Sequence, residues 1–186
     1  MPQWRAWGKR FFTASLCNMN PIDWLCIHAP GFAELPETDR QAIFHFSLLW
    51  SFFEARALRT RGSASAILDV TREWASRGQL TLAPFDGSLA YFRARYVANG
   101  EPTQPFQGLA LRNNDNPALV LSVLKGENTN VADSVAALLI VVFRLRNNLF
   151  HGVKWAYGIQ GQRENFKHAN AALMSALETQ GYVSVS

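Results

Sequence analysis

Near the C-terminal end of this 186-residue chain, Arg146-Asn147-Asn148-Leu149-Phe150-His151 gathers residue types that suit phosphate chemistry. An imidazole titrates near neutral pH, so His151 can take a hydroxyl proton or give one to a leaving oxygen. A guanidinium stays charged and pairs with oxyanions through parallel hydrogen bonds, so Arg146 can hold a phosphate while negative charge builds on it. Asn147 lies one helical turn before His151 and can orient the imidazole or donate to the phosphate. At about 100° per residue, Arg144, Asn147, Asn148 and His151 share one sector of a helix, whereas Arg146 lies roughly 140° from His151. For Arg146 and His151 to meet, the helix must unwind near Gly152 or a second subunit must supply one of them. If the helix stays regular, Arg144 takes the place of Arg146. The same residues also fit an ordinary helix C-terminus, where cations meet the negative end of the dipole.

Other residues are candidates of a second rank. Ser47, Ser51 and Glu54 share a helix face that can form an opposite cleft wall, with Glu54 touching Arg146 or His151; a solvated face is the alternative. Lys154 follows the motif closely enough to contact phosphate, or is simply a solvated lysine. His28, His45 and His168 lack ligand spacing and read as structural. The chain has no phosphate-cradling glycine loop, no serine nucleophile elbow and no HExxH, so neither a metal nor a cofactor is expected. Cys17 and Cys26 form neither a CxxC nor a zinc pattern and are expected to be reduced thiols.

Helices must position these groups. Residues 38–61 hold helix formers and aromatic residues without Gly or Pro, with Thr38 as expected cap and Gly62 as expected stop. A second helix is expected over 63–77, capped by Ser63 and closed by Gly78. Residues 83–117 carry Pro84, Gly87, Gly100, Pro102, Pro105, Gly108 and Pro117 around one helical piece near 88–97, and read as an insertion or long connection. Asn116 and Pro117 open a short helix to Lys125, closed by Gly126. Thr129 or Asn130 caps the next, whose run 135–143 (VAALLIVVF) is apolar on every side, as only a central helix is in a water-soluble protein. A last helix spans about 162–179, with Phe166, Ala169, Leu173, Ala176 and Leu177 at helical spacing. Trp4, Trp7, Phe11, Phe12 and Trp24 supply further packing surface.

A 48% hydrophobic content supports a real core within one domain over 1–186. No apolar stretch reaches the ~18 residues of a membrane span and no signal-peptide core opens the chain, so a cytoplasmic location is expected. The net charge is +4, carried by 14 arginines against 4 lysines. That bias favours phosphate-bearing partners, although the charge is modest.

Arg146-Asn147-x-x-x-His151 resembles the signature of HEPN domains, in which an arginine, a polar residue, three variable residues and a histidine close a long helix in the C-terminal half. The surrounding Phe143 to Gly152 and the aromatic helix from Phe46 to Glu54 are similar to that family too, whereas 83–117 has no counterpart in it. The resemblance implies an all-α HEPN-like bundle of about four to six helices, with 83–117 inserted between the N-terminal and C-terminal helix pairs. It implies a homodimer whose motifs face one cleft, and metal-independent cleavage of RNA to 2′,3′-cyclic phosphate and 5′-hydroxyl ends. Arg146, His151 and Asn147 would be catalytic; Arg144, Asn148, Lys154 and Glu54 would contact substrate. A bacterial toxin or phage-defence effector is the implied role, with a nucleotidyltransferase-like antitoxin as a candidate partner. A non-catalytic module binding RNA, nucleotide or protein is the alternative.

Overall fold

In the computed structural model, which describes residues 18–150 and 160–182, capping chemistry sets several helix boundaries. Asn20 accepts from the Ile22 backbone N–H at 2.9 Å, and with Pro21 in the first turn it starts α1 (Pro21–His28). Trp24 sits on α1 and is 42% exposed; Trp4, Trp7, Phe11 and Phe12 lie outside the described residues.

Helix α2 (Glu37–Arg56) departs from the sequence expectation at both ends. Pro36 rather than Thr38 holds the N-cap position, with no side-chain cap. At the other end the helix stops at Arg56, because Ala57 and Leu58 turn into the core and the chain must reverse before α3. Arg59 and Thr60 take positive φ of 51° and 63°, and the Thr60 N–H closes the turn on the Glu54 carbonyl at 3.0 Å. Helix α3 (Ala64–Ser76) matches its expectation: the Ser63 hydroxyl accepts the Ala66 N–H at 3.1 Å and Gly78 follows with φ of 69°.

The segment 83–117 is more ordered than its prolines and glycines suggest. It forms a 3-10 turn (Ala83–Phe85), α4 (Asp86–Tyr96), an antiparallel pairing of β1 (Val97–Ala98) with β2 (Glu101–Pro102), α5 (Gln104–Gln107) and a second 3-10 turn (Asn113–Asp115). Asn99 and Gly100, both at positive φ, make the hairpin turn. Phe85, Leu89, Phe92, Tyr96 and Leu109 from this segment are buried in the core. It is therefore part of the packing, not a loop laid over it.

Helix α6 (Pro117–Lys125) starts on its proline and ends on Gly126 at φ of 80°. Helix α7 (Val131–Phe150) is capped by Asn130, whose Oδ1 accepts the Asp133 N–H at 3.1 Å, and α8 (Arg163–Thr179) closes the order. The described residues are thus an all-α fold apart from the two short strands.

A helix without a polar side must be enclosed. Residues 135 to 142 of α7 are each at most 1% exposed. Helices α3, α4, α6 and α8 pack against α7, and α2 lies along α8. The remaining side is closed by Trp50 of α2, whose ring centroid is 5.8 Å from that of Phe143, while Phe46 meets Phe166 of α8 at 5.0 Å. Among the described residues, no helix is long and apolar enough to cross a membrane.

Leu139 is fully enclosed. Leu139→Ala should cost roughly 2–5 kcal/mol in urea denaturation, through lost transfer energy and the cavity left behind. Met174→Ala, at a 45% exposed position of α8, should shift stability by under about 0.5 kcal/mol; equal effects at both sites would contradict the central placement of α7.

Candidate functional site

Polar residues enter α7 where its enclosure ends, and the structure sends them to different neighbours. Arg146, half-buried, faces α2. Its Nη2 lies 3.7 Å from Glu54 Oε2, its Nη1 donates to Asn147 Oδ1 at 3.0 Å, and its guanidinium carbon sits 5.9 Å from the Trp50 ring and 5.3 Å from the Phe150 ring. Trp50 Nε1 donates to the same Glu54 oxygen at 2.7 Å. The carboxylate also rests against Gly62, where a Cβ would push it out of this position. The expected contact between Glu54 and Arg146 is therefore present. Ser47 is turned back onto its own helix, donating to the Ile43 carbonyl at 2.9 Å, and Ser51 is exposed.

Arg144 goes elsewhere. Expected as a substrate contact and as the reserve for Arg146, it is 4% exposed and bound to the 109–115 segment. Its Nη1 pairs with Asp115 Oδ2 at 3.3 Å and its Nε donates to the Leu109 carbonyl at 3.1 Å. Asp115 Oδ2 also accepts the Arg112 N–H at 2.7 Å. Burial lowers the Arg144 pKa, Asp115 opposes that and Arg112 adds to it; the group stays a cation. Arg144 thus serves as a buried tie, with no face left for a ligand.

Asn148, expected among the substrate contacts, donates from Nδ2 to the carbonyls of Gly108 and Leu109 at 3.0 and 3.3 Å. It also lines a pocket that Leu145 shares. Asn147 is 8% exposed. His151 and Lys154 lie outside the described residues. The polar sector anticipated for α7 is thus divided: Arg144 and Asn148 turn toward 108–115, whereas Asn147 accepts from Arg146, which was expected on another side and faces α2.

His168 is structural, as its isolation suggests. Its ring stacks on Tyr91 with centroids 4.0 Å apart and planes 10° apart, while the Tyr91 hydroxyl donates to Asn165 Oδ1 at 2.8 Å. Cys26 is a free thiol that accepts from Arg40 Nη1 at 3.6 Å. Among the described residues, no three His, Cys, Asp or Glu side chains converge as metal ligands would.

Two outcomes follow from these contacts. Asp115→Ala strands a buried guanidinium and should cost roughly 3–5 kcal/mol, while the double variant Asp115→Leu/Arg144→Met should recover most of that loss; an additive double variant would show that the pair is not coupled. Burial lowers the His168 pKa below the usual 6.5, with Glu164 opposing and Lys167 adding. The unfolded chain then takes up this proton more readily than the folded one. Stability is therefore complete above about pH 6.5 and is lost as the pH falls through the depressed folded value. Between about pH 7.5 and pH 5.5 the Tm should drop, and His168→Phe, which keeps the stacking, should flatten the drop; an unchanged slope would remove His168 as its source. No family model, curated protein or solved structure matches this chain, so the chemistry of the site rests on its own residues.

Proposed function

We propose that the chain is a HEPN-type endoribonuclease that cuts RNA without a metal, acting as a bacterial toxin or defence effector. The observation that carries this reading is the Arg146-Asn147-x-x-x-His151 signature at the point where an enclosed helix first meets water, with Arg146 oriented there by Glu54 and Trp50. His151 removes the ribose 2′-hydroxyl proton, the 2′-oxygen attacks phosphorus, and the P–O5′ bond breaks. The leaving 5′-oxygen takes a proton from a second imidazole, so the products are a 2′,3′-cyclic phosphate and a 5′-hydroxyl. With one motif histidine per chain, a homodimer supplies both acid and base. Phe150, 55% exposed beside Arg146, offers apolar surface for such an association. Arg146 holds the phosphate as charge develops. Asn147 positions groups about it, and a nucleotidyltransferase-like antitoxin is the expected silencing partner.

One observation favours a second reading, a non-catalytic module that binds RNA, nucleotide or a protein. Arg146 already has a carboxylate partner, and its Nε is enclosed without an acceptor among the described residues. A guanidinium held in this way can be a structural group.

Purified protein incubated with RNA in EDTA separates the two. Cleavage should leave cyclic-phosphate ends, and His151→Ala and Arg146→Ala should each lower the rate by about 10²–10⁴-fold. Undiminished cutting by His151→Ala would sink the nuclease assignment, and binding without any product would favour the second reading.

A further inference from the structure

A pocket of about 270 Å³ opens on another side of α7 from Arg146, among α4, α5, α7 and α8. Its charge is unusual for this protein. Among the described residues, Arg95 is the single charged residue of its lining, and neither aspartate nor glutamate reaches it. No ion pair holds Arg95 among the described residues, and its Nε is enclosed without an acceptor. Both other arginines of the α7 region are matched by carboxylates, Arg144 by Asp115 and Arg146 by Glu54. Beside Arg95 stand the phenols of Tyr91 and Tyr96. Burial raises the pKa of both, while Arg95, hydrogen-bonded to each, partly lowers it and Glu164 raises that of Tyr91 further, so Arg95 has neutral phenol partners there and no countercharge from them.

The remaining polar lining is made of carboxamides brought from distant parts of the sequence. Asn165 Nδ2 donates to Gln162 Oε1 at 2.6 Å, while Asn165 Oδ1 accepts the Tyr91 hydroxyl. This chain fixes the Gln162 amide with its oxygen occupied, which leaves its nitrogen to donate. Asn148 is fixed in the reverse sense: its nitrogen is engaged by Gly108 and Leu109, which leaves its oxygen to accept. Leu109 and Leu145 supply apolar wall. A partly enclosed cation with no carboxylate partner is costly to bury, and an anion entering the pocket would offset that cost. A concave pocket with oriented polar groups and one charge on a smaller apolar wall suits a small polar ligand, and the volume lies just under the ~300 Å³ lower end for drug-sized ones.

We infer that this pocket binds a small organic oxyanion, a carboxylate or a phosphate monoester, anchored on the Arg95 guanidinium with its polar substituents placed by Gln162 and Asn148. The assignment is independent of the nuclease reading, since Arg95 and Gln162 have no part in that mechanism.

Thermal shift and calorimetry on the full chain test it. The probes are 2-oxoglutarate for the carboxylate source and glycerol 3-phosphate for the phosphate source, compared with inorganic phosphate and with sodium chloride at matched ionic strength. At least one organic probe should raise the Tm in a saturable way, and which of them does so identifies the source. Arg95→Met should abolish the shift, Arg72→Met at an exposed position of α3 should preserve it, and Gln162→Leu should weaken binding roughly 10-fold. No shift beyond that of sodium chloride from either organic probe would overturn the inference. So would an equal response to inorganic phosphate, or binding that survives in Arg95→Met. Should Arg95→Met fail to fold, an unchanged affinity in Gln162→Leu would overturn it as well.

Discussion

The structure depends on one constraint: a stretch of α7 that presents no polar side to any direction. A helix of that kind cannot lie on a surface, so other elements have to surround it. Helices α3, α6 and α8 cover much of it. Helix α4 packs against α6, α7 and α8 and buries Leu89, Phe92 and Tyr96. The irregular segment 83–117 is therefore held by the demand for coverage more than by its own helix propensity. Its glycines and prolines divide it into pieces short enough to follow the curved surface of the core.

The same constraint gives meaning to the first charge after the apolar run. Arg144 is still within the enclosure, so it must be satisfied by protein, and it fastens 109–115 to α7 through Asp115 and the Leu109 carbonyl. Asn148, one turn later, repeats the contact on the Gly108 and Leu109 carbonyls. These are charge-assisted or directional bonds in a region of low dielectric, where misalignment is costly. They set the register of the connection against the helix, which apolar packing alone would leave free to slide.

Much of the fold was legible in the amino-acid sequence. The cap at Ser63, the stops at Gly78 and Gly126, the start at Pro117 and the enclosure of 135–143 all rest on local chemistry that the sequence displays directly. The end of α2 was not, because nothing in 57–61 breaks a helix. What breaks it is the burial of Ala57 and Leu58, a tertiary effect strong enough to hold Arg59 and Thr60 at positive φ. At the site, helical geometry grouped Arg144 with Asn148 as the structure does, but it also placed Asn147 with them, whereas Asn147 accepts from Arg146. It could not reveal that Asp115, some thirty residues earlier in an Asn-rich turn, would close over that sector. Nor could it reveal that Arg95, Gln162 and Asn165 would meet, since none of them belongs to a motif and only the packing of α4 on α8 brings them together.

Arginine pairing then distinguishes what each cation is for. Arg144 is buried, close to its carboxylate and bonded to a carbonyl, which leaves it no freedom. Arg146 is held more loosely: at 3.7 Å its contact with Glu54 is longer than a charge-assisted hydrogen bond. The carboxylate has a stronger claim from Trp50 Nε1 at 2.7 Å, and Gly62 leaves it the room to stay there. Glu54 thus acts on Arg146 mainly through its field and through Trp50, whose ring lies under the guanidinium. Such contacts aim the guanidinium without saturating its donors: one long ion pair to Glu54 and one hydrogen bond to Asn147 Oδ1 engage it. Arginines that do structural work here are tied at short range, and the loosely held one stands at the mouth of the helix.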